Sequence, residues 1–116
     1  MDPEVILDLA AGAALKLDAQ TVVIDCQVRP TRTQDILEPY GVDWIMFLMD
    51  CPDPTRNERL LARGWKPENL PQGETWQRVL KEESISMGIG IVDSGRLSVD
   101  QCCDAILDGL GDKAIP

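Results

Sequence analysis

The stretch from Val42 to Gly64, VDWIMFLMDCPDPTRNERLLARG, decides the reading of the fold. Asp43 to Asp50 is an unbroken apolar run bounded by an acid at each end. That is the pattern of a strand covered on both faces, as strands of parallel sheets are. Pro52 and Pro54 close it, because proline gives a ladder no donor. From Thr55 to Arg63 the spacing predicts a helix with Leu60 and Leu61 turned inward. Gly64 is placed to cap its end.

Working outward, Asp2-Pro3-Glu4 is a helix start, with an acid at the N-cap and proline at the first helical position. Val5, Ile6, Leu9, Ala13 and Leu17 follow at helical spacing, predicting a helix to about Lys16. The β-branched run TVVID, Thr21 to Asp25, reads as a buried strand. A helix from about Thr31 to Leu37 ends before Pro39, and Gly41 permits a turn. Between Trp65 and Glu74 two prolines and a glycine predict a loop. Thr75 to about Ser84 predicts a helix, and Met87 to Asp93 a third strand softened by Gly88 and Gly90. Ser98 and Gln101 have capping-box spacing and open a last helix that runs to about Leu110, where Gly109 and Gly111 end it. Alternation of apolar strands with helices predicts an α/β fold with a parallel sheet sandwiched by helices.

The chain has 116 residues, a formal net charge of -9 and 44% hydrophobic residues. Those values predict one globular domain. The charge argues against a nucleic-acid backbone and against an anionic membrane surface, both of which need a basic patch. No apolar stretch reaches the length of about 18 residues that a spanning helix needs. Acids stand where a secretion signal has a basic region. Four cysteines lack zinc spacing, and there is no histidine to complete a metal site. Buried or half-buried free thiols in a reducing cytosol are the expectation, so the protein reads as cytoplasmic.

All three expected strands end in an acid: Asp25, Asp50 and Asp93. In open parallel sheets ligands bind beyond those ends. Acids beside Arg29, Arg32 and the arginine helix suit Mg²⁺ plus phosphate. Arg59 and Arg63 are four residues apart and share a helix face, with Arg56 joining the same patch. A phosphate would bridge them with paired hydrogen bonds. On spacing alone, a solvated face near a helix C-terminus fits these arginines better. No Gly-rich phosphate loop with Lys-Ser/Thr occurs in the sequence. Trp65 and Trp76 flank the expected loop and read as caps on the core.

In order, and at fitting separations, the segments resemble adenylate kinase and its nucleoside monophosphate kinase relatives. DPEVILDLAAGAAL is similar to the helix before the family's third strand, and VVIDCQVRPTRTQ to that strand and the monophosphate-holding segment. VDWIMFLMDCPDPTRNERLLARG is similar to the fourth strand and the arginine helix leading to the lid. ETWQRVLKEES resembles the helix returning from the lid, and GIGIVDSGRLSVDQCCDAILDGL the fifth strand, its turn and the terminal helix. The resemblance implies a small parallel sheet of about three strands, as in a P-loop kinase fold without its first strand and P-loop. It implies a single domain over residues 1–116, with a lid-like loop at 65–73.

By the same resemblance Arg29, Gln34 and Arg32 are nucleotide-binding and Asp25 is a magnesium-side acid. Arg59, Arg63 and Arg78 are then the clamp on transferring phosphates. The implied cofactor is Mg²⁺ with a nucleotide, and the implied ligand a nucleoside monophosphate. Cys26-Gln27-Val28 departs from the family's Gly-Phe-Pro, and the loop has only Lys66 where short-lid relatives carry arginines. Without the P-loop the chain reads as a kinase-like domain that binds a nucleotide, phosphate or protein partner and catalyses no transfer alone. The alternatives are an active kinase whose P-loop half lies on another chain, and a structural module with solvated arginines. A sheet lacking its central strand implies completion by another chain, most simply in a homodimer.

Overall fold

The computed structural model describes residues 2–17 and 21–110. It is α/β, with five α-helices and a two-stranded parallel sheet. The chain divides into two compact units, one over 1–45 with 110–116, the other over 46–109.

The first unit begins with α1, Pro3–Ala14. Asp2 caps it, its carboxylate accepting the Glu4 amide at 2.9 Å. Leu7 and Ala11, one turn apart, are its buried residues. They pack with Val28 and Leu37, and Ile24, Cys26, Ile36, Tyr40 and Trp44 surround that cluster. The Tyr40 hydroxyl donates to the Asp8 carbonyl at 3.1 Å and to the Asp8 carboxylate. Helix α2, Pro30–Leu37, opens on proline at the position where a missing amide costs nothing. A 3₁₀ turn over Glu38–Tyr40 follows, and Gly41 takes the expected turn at φ 63°.

Thr21–Asp25 does not form the expected strand, and the sheet has two strands rather than about three. Residues 21–29 carry no regular structure. Burial nonetheless alternates along them: Ile24, Cys26 and Val28 turn inward, whereas Val23, Asp25, Gln27 and Arg29 are exposed. Strand propensity reports how side chains fit a pleated surface, and a ladder also requires a neighbouring backbone. Packing on helices took the place of pairing.

The second unit holds the sheet. Strand β1, Phe47–Asp50, runs parallel to β2, Gly90–Asp93, in the register Phe47↔Gly90 through Asp50↔Asp93. Both strands are shorter than expected. Gly88, at φ 71°, ends the preceding helix, and the Asp93 carboxylate accepts the Gly95 and Arg96 amides, so turns bound β2 on both sides. β1 has a partner only as far as β2 reaches. Nor is β1 covered on both faces, since Leu48 is buried and Met49 is exposed.

Helix α3, Asp53–Ala62, ends in the geometry that Gly64 predicted. The Gly64 and Trp65 amides donate to the Leu61 and Leu60 carbonyls, each at 3.0 Å, with Gly64 at φ 94°. After a 3₁₀ turn at Pro67–Asn69, α4 runs from Leu70 to Met87, eighteen residues rather than Thr75 to Ser84. Residues 70–73 of the expected lid-like loop are therefore helix. Pro71 stands in the first turn, where its carbonyl accepts the Thr75 hydroxyl at 3.0 Å, so it starts the helix instead of preventing it. Helix α5, Val99–Leu110, opens on the predicted capping box. The Gln101 amide donates to Ser98 Oγ at 3.1 Å, and the Ser98 amide donates to Gln101 Oε1 at 2.9 Å. Gly109 lies inside α5 and does not end it; Gly111 lies outside the described residues.

Candidate functional site at the carboxyl ends of the strands

Strand β1 delivers Asp50 and strand β2 delivers Asp93 to one end of the sheet. There a cavity of about 480 Å³ opens in the second unit. The start of α3 contributes Asp53 and Arg56 to its lining, and α4 contributes Glu74, Gln77, Arg78 and Lys81. A strand followed at once by a proline-initiated helix places Arg56, in the first turn of α3, within reach of Asp50. The α4 residues recur at three- and four-residue intervals and so share a helix face.

Asp50 organises the floor, its side chain only 13% exposed. Its carboxylate accepts from Gln77 Nε2 at 2.9 Å, from Arg56 Nη2 at 3.3 Å and from Lys81 Nζ at 3.1 Å. Burial pushes its carboxyl up, but hydrogen bonds from Gln77 and Lys81 and the Lys81 charge outweigh that. The net result holds Asp50 below the usual carboxylate range and ionised at neutral pH. Arg56 is equally enclosed, its side chain 15% exposed. It donates to the Cys51 carbonyl at 2.6 Å and pairs with Asp53.

The seven residues expected to form a site fall in both units. Asp25, Arg29, Arg32 and Gln34 belong to the first unit, and Arg59, Arg63 and Arg78 to the second. Asp25 is exposed and, contrary to expectation, ends no strand. Arg29 is the N-cap residue of α2, its carbonyl accepting the Thr33 hydroxyl at 3.1 Å. Arg32 is held by Glu4 at 2.9 Å and Asp35 at 3.0 Å on an open face. Gln34 is exposed on α2.

The arginines of α3 do not form the single patch that their spacing suggested. Arg56 points into the acids of the cavity, whereas Arg59 donates to the Ser94 carbonyl at 3.0 Å. Arg63 is exposed at the C-terminus of α3, and neither Arg59 nor Arg63 lines the cavity. Arg78 does line it, and among the described residues it makes no hydrogen bond or ion pair. Sequence reading passed over Gln77 and Lys81. Their signal was the i, i+4 spacing with each other and the i, i+3 spacing to Glu74 and Arg78, which puts all four on one helix face but does not say that the face meets Asp50.

Among the described residues no group of three His, Cys, Asp or Glu side chains is arranged to hold a metal ion. The cysteines are free. Cys26 is half-buried; burial pushes its thiol up, and the neighbouring Asp25 charge adds to this against an opposing Val28 amide hydrogen bond. That is the reverse of nucleophile activation. Cys103, contrary to the expectation of burial, is exposed. Among the described residues no helix is long and apolar enough to cross a membrane. No family model matches the chain, and comparison with curated proteins and with solved structures finds no significant match.

Proposed function

We propose that this chain binds the phosphate of a nucleotide in the cavity of its second unit, in the manner of a nucleoside monophosphate kinase, and transfers no phosphoryl group by itself. The observation that carries this reading is Arg78. Arg56 and Lys81 are each tied to Asp50, but Arg78 lines the same cavity with no partner among the described residues. A guanidinium in that state offers a fork of donors matched to phosphate. The location adds support, because ligands of parallel sheets bind beyond the carboxyl ends of strands. The lack of catalysis rests on the sequence, which has no Gly-rich loop to cradle the β- and γ-phosphates.

Titration calorimetry with AMP, CMP and UMP, with and without Mg²⁺, tests the reading. Binding by at least one nucleotide is expected. A charge-assisted hydrogen bond contributes about 1.5–3 kcal/mol, so Arg78→Ala should weaken that binding by about 10- to 100-fold. Thermal unfolding of the variant should match the parent closely, since no hydrogen bond or ion pair among the described residues is lost. Absence of binding by all three, or binding indifferent to Arg78, overturns the reading. A coupled assay with ATP and each monophosphate should give no turnover. Turnover would make the chain a kinase instead.

A further inference from the structure

The segment from Thr21 to Gln27 stands apart from the rest of the fold. None of its residues makes a backbone–backbone hydrogen bond with another described residue. Backbone groups without partners are ordinary in a polar loop exposed to water. This segment is not such a loop. Thr21-Val22-Val23-Ile24 is rich in β-branched residues, and Asp25 is its single charge. Its inward side chains are anchored, Ile24 and Cys26 lying against the first unit's core beside the fully enclosed Val28. Its outward Val23 is not covered, being 90% exposed, and Val22, in phase with the inward side chains, is itself 41% exposed. Anchoring on one side, alternating burial and a backbone without partners among the described residues are the properties of an edge strand without a neighbour.

We infer that this edge is a homodimer interface, in which Thr21–Asp25 pairs antiparallel with the same segment of a second copy, with Val23 on the two-fold axis. The charge pattern selects both the occupant and the register. Antiparallel pairing about Val23 sets Val23 opposite Val23, Val22 opposite Ile24, and Thr21 opposite Asp25. The exposed valine then covers its own counterpart, and the Asp25 carboxylate faces a hydroxyl that can donate to it. A parallel in-register pair would instead stack Asp25 on Asp25, which is repulsive. The contact is isologous, so this pairing closes at two copies. The formal net charge of -9 opposes association over long range, but charges more than about 8 Å apart are screened at physiological ionic strength.

Light scattering across a concentration series at physiological ionic strength, with hydrogen exchange on the same samples, tests the interface. The expected result is a dimer whose Thr21–Asp25 amides gain protection as the dimer fills. Val23→Asp and Val23→Lys, each alone, put like charges opposite one another on the axis. Each should weaken the dimer by about tenfold or more. An equimolar mixture of the two should recover the dimer, which also shows that both variants fold. A monomeric parent chain overturns the inference, whether or not those amides are protected. A dimer indifferent to both substitutions, or a mixture that fails to recover it, overturns it as well.

Discussion

Asp50 is the residue on which the chemistry of the second unit depends. It is the last residue of β1, nearly buried, and it pairs with both Arg56 and Lys81. Removing its charge leaves Arg56 enclosed with Asp53 as its remaining acid. Asp50→Asn should therefore destabilise the chain by about 2 kcal/mol, read as a lower urea midpoint at unchanged slope. The pH dependence follows from the same contacts. Asp50 titrates lower in the folded state than the value of about 3.9 expected in the unfolded chain. The folded state then binds fewer protons, so the contribution is complete above the unfolded value and is lost as pH falls through the folded one. Urea midpoints measured from about pH 6 to about pH 3 should fall less steeply in Asp50→Asn than in the parent. Equal acid limbs would mean that other carboxylates control acid unfolding. That Asp50 would end a strand was legible in DWIMFLMD. That Gln77 and Lys81 would reach it was not, because the contacts span 27 residues in the first case and 31 in the second.

At the scale of elements, punctuation by glycine and capping residues was the most legible feature. The Ser98–Gln101 box and the Gly41 and Gly64 turns formed where their residue types placed them. Each is a local rule satisfied by neighbours in sequence. Gly64→Ala should cost about 1 kcal/mol, because φ 94° is strained for any residue with a Cβ. Gly109 has a different reason to be glycine. A Cβ there would lie 2.6 Å from the Phe47 ring, so the bare helix surface lets α5 lie against β1. Gly109→Ala should cost about 1–3 kcal/mol through overpacking, and pairing it with Phe47→Leu should recover part of that. Thermal unfolding of the four proteins checks both values; additive losses would show that the two positions do not touch. A glycine that ends a helix and one that admits a neighbour look alike in sequence, so the end of α5 near Leu110 was legible and the role of Gly109 was not. The strand expected at Thr21–Asp25 failed similarly, since composition states a preference and only a neighbouring backbone can satisfy it.

For the molecule as a whole, charge is the plainest property. With 20 acidic against 11 basic residues the folded chain repels itself. Raising sodium chloride from about 0.01 M to about 0.5 M shortens the screening length from about 30 Å to a few ångströms and should raise the unfolding temperature. A fall would mean that the Asp50 and Arg32 ion pairs outweigh the net repulsion. The amino-acid sequence by itself determined the α/β class, the order of helices and the two strands that formed. Apolar periodicity, proline at helix starts and glycine at helix ends act over a few residues, and those residues were in view. Tertiary structure alone decided how many strands would find partners, which arginines would be consumed by acids and which would stand in the cavity. Those outcomes depend on neighbours brought from distant positions in the chain. A guanidinium is a clamp or a structural tie according to what lies within about 3 Å of it, and spacing along one helix does not report that. The arginines of Asp53–Gly64 were divided in this way, with Arg56 tied to Asp50, Arg59 to Ser94, and Arg63 left at the surface.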